Sequence, residues 1–146
     1  MSENPVSFFS KTDEAQVINA IKEAELQTSG EIRVHLEKHS RKDNLQRAQK
    51  VFAELGMDKT ELRNGILFYI ATADHQFSII GDKGIHEQVH DDFWQQIRDV
   101  MQSDFRNGAF ADGLIKGIKQ AGTALAKYFP YKDDDINELS DEISRS

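Results

Sequence analysis

The chain has 146 residues, no cysteine and a formal net charge of −7, enough for one core that buries ~70% of the unfolded surface. Without cysteine there are no disulfides, thiolate metal sites or cysteine nucleophile. Six acids (Asp133, Asp134, Asp135, Glu138, Asp141, Glu142) against Lys132 and Arg145 give residues 132–146 a net −4, leaving −3 for the body. No basic face is evident, so nucleic acid is not an expected partner.

Residues 1–9 read as an N-terminal arm, 10–131 as one domain and 132–146 as a flexible acidic tail. No basic stretch followed by an apolar run opens the chain. No apolar run approaches the ~20 residues of a membrane helix. A soluble, cytoplasmic protein is therefore the expectation.

Ser10 followed by Asp13 resembles a capping box. A helix follows to about Thr28, with Val17, Ile18, Ile21 and Ala24 on one face. Ser29-Gly30 is expected to end it through a left-handed glycine. Residues 31–37 alternate, with Ile32, Val34 and Leu36 against Glu31, Arg33, His35 and Glu37. That pattern predicts a half-exposed strand near a sheet edge.

A second helix is predicted from about Asp43 to Leu55, with Leu45, Ala48, Phe52 and Leu55 inward and Gly56 as its stop. The unbroken apolar run 66–71 predicts a strand covered on both faces. Asp74-His75 then makes a turn into a returning strand at Phe77, Ser78, Ile79 and Ile80. Asp91 is expected to cap a helix carrying Trp94, Ile97 and Met101. The last helix, 110–128, presents Gly113, Gly117 and Ala121 as a smooth strip.

The order α-β-α-β-β-α-α predicts an α/β fold, a three-layer α/β/α sandwich around a small mixed sheet. Strands one and two run parallel and strand three antiparallel to strand two. Glu31, Asn64 and Asp82 then share one end of the sheet, and His39 and Asp74 the other.

Four motifs in order resemble the TPM domain family: Ser29-Gly30-Glu31, Asn64-Gly65-Ile66-Leu67, Gly81-x-x-Gly84-Ile85, and Phe105-Arg106-x-Gly108 followed by Gly113-Leu114. The likeness spans roughly 10–130. It implies an α/β/α sandwich, divalent-cation binding, often calcium, and the acid phosphatase activity proposed for plant members. Many bacterial relatives carry a signal peptide and a C-terminal membrane helix; this chain shows neither pattern and resembles the short soluble type. The family usually has an acid after Gly108, where Ala109 stands here; Asp112, one turn later, is the candidate substitute.

Glu31, Asp82 and Asn64 are the candidate ligands for calcium or magnesium, both of which take hard oxygen donors. The alternative is that Glu31 is a solvated strand residue and Asp82 a turn former. Ser29, Gly30, Gly65, Gly81, Lys83, Gly84, Arg106 and Asp112 complete the candidate ligand-binding set. Gly81 and Gly84 read first as backbone devices; their loop, with Lys83, is also a candidate anion nest. A phosphatase here would need a metal to polarise phosphate, with Lys83 or Arg106 countering its charge, and no residue stands out as general base.

His35 and His39 lie ~13 Å apart along a strand and cannot share a metal. His86 and His90 read as a solvated pair. Asp133-x-Asp135-x-Asn137 lacks the glycine and final glutamate of an EF-hand. Two functions compete: a cation-binding domain with weak phosphatase activity on a phosphorylated small molecule, and a non-enzymatic, cation-ordered module that docks a protein partner.

Overall fold

The computed structural model describes residues 9–40, 43–131 and 141–146. Residues 1–8 of the arm and 132–140 of the acidic tail, including the Asp133-x-Asp135 motif, lie outside the described residues. The elements are α1 (Lys11–Glu25), β1 (Glu31–Glu37), α2 (Asn44–Glu54), β2 (Gly65–Ala71), β3 (Gln76–Gly81), α3 (Lys83–His86), α4 (Asp91–Arg106), α5 (Phe110–Tyr128) and β4 (Ser144–Arg145).

Local sequence sets the helix ends. Ser10 and Asp13 exchange both bonds of a capping box, Asp43 accepts from the N–H groups of Leu45 and Gln46, and Gly56 stops α2 with φ of 72°. Two expectations are corrected. His90, not Asp91, is the cap residue of α4, and it makes no side-chain cap. Gly30 takes no positive φ; its lack of a side chain instead lets Leu125 approach, because a Cβ there would stand 2.7 Å from Leu125 Cδ2.

The sheet has the order β3-β2-β1-β4, with β1 parallel to β2 and β3 antiparallel to it. Ile32, Val34, Leu36, Ile66, Phe68 and Ile70 pack against α1, α4 and α5 in the larger core. Leu67, Tyr69 and Ala71 meet Ala48, Val51, Phe52 and Met57 on the other face. This is the α/β/α sandwich. Within α2, Ala48 and Phe52 are buried and Leu55 packs against them, as read in sequence, while Leu45 is exposed and Val51 is buried in its place.

Gly113 and Gly117 do form the close seam with α4: added Cβ atoms would stand 3.0 Å from Asp104 Cβ and 2.8 Å from Met101 Sδ.

Two further corrections concern β1. The strand is enclosed rather than half-exposed: six of its seven residues, including Glu31, His35 and Glu37, are buried. Its outer edge is occupied by segment 141–146, where β4 pairs parallel with His35 and Leu36. The far end of the acidic stretch is thus a strand, anchored by buried Ile143. Among the described residues no helix is long and apolar enough to cross a membrane.

Candidate functional site

The register brings Glu31 opposite Gly65, and Ile66 opposite Gly81. The Glu31 N–H donates to the Asn64 carbonyl and the Asp82 N–H to the Gly65 carbonyl. Ser29, Gly30, Glu31, Asn64, Gly65 and the loop 81–84 therefore gather at one sheet end, as topology requires. The Asn64 amide donates to Ser29 Oγ at 3.5 Å. At the opposite end Asp74 accepts from the Ser40 N–H and meets His39 at 2.7 Å.

Arg106 and Asp112 do not join that group. The α4 helix starts beside Gly81, where Trp94 packs, and its 16 residues span ~24 Å. That length is the whole strand, so Arg106 emerges at the far end beside Phe77 and Thr72. Asp112 lies exposed in the first turn of α5 at the same far end.

The Asp82 carboxylate is already committed. It accepts two bonds from Arg63, at 2.7 Å from Nε and 2.9 Å from Nη2, and one from the Lys83 N–H at 2.8 Å as the cap of α3. The loop amides are committed too, since the Gly84 N–H donates to the Arg63 carbonyl at 2.7 Å. With the Asp82, Lys83 and Gly84 amides all bonded within the chain, loop 81–84 is not an open anion nest. Its glycines are steric devices. A Cβ on Gly81 would stand 2.3 Å from Trp94, and one on Gly84 2.3 Å from the Leu62 carbonyl.

Sequence reasoning missed two acids here: Glu25, which feels the charge of Glu31, and Asp141, which is hydrogen-bonded to Glu25. Glu25, at the last turn of α1, accepts from the Ile32 N–H at 2.9 Å and so caps the edge of β1. Its carboxyl is pushed up to about 10 by burial, then by a hydrogen bond with Asp141, with the charges of Glu31 and Asp141 adding to both; only the Ile32 N–H opposes the shift. Asp141 arrives here because parallel pairing sets Ser144 opposite His35. The alternation of Ile143 with its polar neighbours was the only signal in the sequence.

Four positions along β1 a second polar group is built differently. Buried Glu37 accepts from Arg47 Nε and Nη2, both at 2.7 Å, and from the Tyr69 hydroxyl. Burial alone would raise Glu37, but Arg47 and Tyr69 hold it below the usual carboxylate range. His35 stacks on Tyr69 with ring centroids 5.9 Å apart. Its ring nitrogens meet Ser144 Oγ at 2.9 Å and Ser146 Oγ at 2.8 Å. Burial lowers its pKa, partly offset by Glu37.

The TPM domain family model matches residues 3–124. The chain belongs to the TPM domain family. It is 52% identical to the BA42 protein of the psychrophilic bacterium Bizionia argentinensis, whose NMR structure superposes with a TM-score of 0.89 over 95% of this chain and 96% of that one. The N-terminal domain of the cg2496 protein from Corynebacterium glutamicum shares 13% identity with a TM-score of 0.64, over 92% of this chain and 79% of that one. That second likeness is one of fold. No curated protein matches the sequence.

Proposed function

We propose that this TPM domain binds a divalent cation, calcium foremost and magnesium second, at the amino end of β1. Glu31 remains a ligand and gains Glu25, with Asp141 behind it through its bond to Glu25, while Asp82 is left out because Arg63 neutralises it. In this reading the cation fastens segment 141–146 to the sheet, and the domain is a cation-ordered module presenting that segment to a protein partner. One observation carries it: Glu25 is held protonated to about 10 by burial, by its bond to Asp141 and by the charge of Glu31.

A carboxyl held protonated beside two further acids marks a place where a hard cation relieves the same repulsion. Among the described residues no group of three or more His, Asp or Glu side chains is placed to hold a metal ion together, so at most two of these acids reach the cation directly. Water and backbone carbonyls must therefore complete the shell, as they commonly do for calcium. The phosphatase reading has weaker support, since the amides of loop 81–84 are bonded within the chain and Arg106 stands at the other sheet end.

The test is a titration of the metal-free protein with calcium, then magnesium, followed by backbone amide NMR. Saturable shifts at Glu25, Glu31, Ile32 and Asp141, lost in Glu25→Gln and Asp141→Asn, are the expected result. Shifts confined to 133–138 would overturn the site. Multiple turnovers of a phosphomonoester, abolished by those two substitutions, would restore the enzyme reading.

A further inference from the structure

A cavity of about 540 Å³ opens at the carboxyl end of β2, on the opposite side of the molecule from Glu31. Its walls are chemically uneven. Phe105 stands at the centre of an aromatic trio, edge-on to Phe77 at 5.2 Å and to Phe110 at 5.4 Å between ring centroids. All three rings are only half-buried, so their remaining surface faces the opening. Thr72 and His75 line the same space, as does Arg106 at the last turn of α4.

Arg106 is exposed, and its guanidinium makes no hydrogen bond or ion pair among the described residues. Of the acids nearest in the chain, Asp104 pairs with Lys116 at 2.9 Å, while Asp112 stands exposed in the first turn of α5 without a bond to Arg106; across the sheet end Asp74 pairs with His39.

We infer that this cavity is a binding site for a small aromatic monoanion, its planar body against Phe77, Phe105 and Phe110 and its acidic head on Arg106. The volume lies within the range of small-molecule sites, which pair apolar walls with a few polar groups that fix orientation. Parallel strands of α/β sheets conventionally present ligands at their carboxyl ends, which is where this cavity lies. Half-exposed rings cost hydration that a flat apolar ligand would recover. A guanidinium with no carboxylate partner among the described residues offers the two-pronged donor that a carboxylate matches. Nothing in this site depends on the cation proposed at the other end of the sheet.

The experiment compares 2-naphthoate with its uncharged amide, 2-naphthamide, by amide NMR titration of the wild type and of Arg106→Gln. Arg106 is exposed, so the variant keeps the fold, and its own spectrum verifies that. The expected result is saturable shifts at Thr72, Phe77, Phe105 and Gly108, with naphthoate binding about tenfold more tightly than the amide. Arg106→Gln should abolish that preference while leaving amide binding unchanged. Absence of saturable shifts at these positions, equal affinity for both probes in the wild type, or a preference that survives Arg106→Gln would each overturn the assignment.

Discussion

The two ends of β1 handle buried charge in opposite ways. At the carboxyl end Glu37 meets a guanidinium and a phenol, and His35 meets two hydroxyls. At the amino end Glu25 meets Asp141 and the charge of Glu31, with a single backbone N–H in its favour. Both groups hold the same segment, 141–146, and lie on one strand. The carboxyl end is complete as it stands, which is what a structural network needs. At the amino end burial and two further acids hold the Glu25 carboxyl protonated instead, and that crowding is what the proposed cation would relieve.

The largest effect should come from breaking the complete end. Arg47→Ala leaves Glu37 buried without its cation, and chemical denaturation should show a loss of about 3–5 kcal/mol. Adding Glu37→Gln to that variant should recover part of the loss, because the buried charge is then gone. If Arg47→Ala costs nothing, the contrast between the ends is false.

Next comes Gly84→Ala. Its Cβ would meet the carbonyl oxygens of Leu62 and Arg63 at 2.3 and 2.6 Å, so about 2–3 kcal/mol should be lost with no metal present. A variant that kept its melting temperature but lost calcium affinity would make the loop a ligand rather than a spacer.

The pH profile separates the ends by sign. Glu25 titrates near 4.5 when unfolded and near 10 when folded. Between those values the native state keeps a proton that the unfolded chain has lost, so stability should fall as pH rises across that window. Glu25→Gln should flatten this slope and, at pH 8, gain on the order of 1 kcal/mol. Calcium should flatten it in the wild type. His35 and Glu37 are lowered on folding, so their contributions hold above the unfolded values and fade as pH drops through the folded ones. A wild-type profile rising from pH 6 to pH 9 would contradict the acid-crowded end.

The smallest effect is expected from Ser144→Ala, which removes one bond to His35 and should cost about 1 kcal/mol. Hydrogen exchange should show it as faster opening of segment 141–146 alone.

Much of this was legible in the residues. Periodicity located α5 over 110–128 and the β2–β3 hairpin, and the parallel crossover placed Glu31, Asn64 and Asp82 at one end. What escaped was pairing between polar groups. The alternation of β1 reports two faces of different chemistry, not which one is wet; Glu37 is buried because Arg47 and Tyr69, distant in sequence, complete it. Asp82 reads as a free carboxylate until Arg63 folds onto it. Segment 141–146 carries no apolar run, since β4 is held mainly by hydrogen bonds, and only Ile143 hints at it. Arg106 was misplaced because shared membership in a motif says nothing about the length of the helix that carries it.

The pairing of β4 with β1 also sets an order of assembly. Thr72 and Glu37 meet across 35 residues of chain, whereas Ser144 and His35 meet across 109. Closing the longer loop costs more chain entropy and is rewarded by two paired residues rather than seven. The β1–β2–β3 unit therefore forms first, with the edge of β1 bare, and segment 141–146 docks on a sheet that already exists. During that interval the strand edge is open to any extended chain that arrives first.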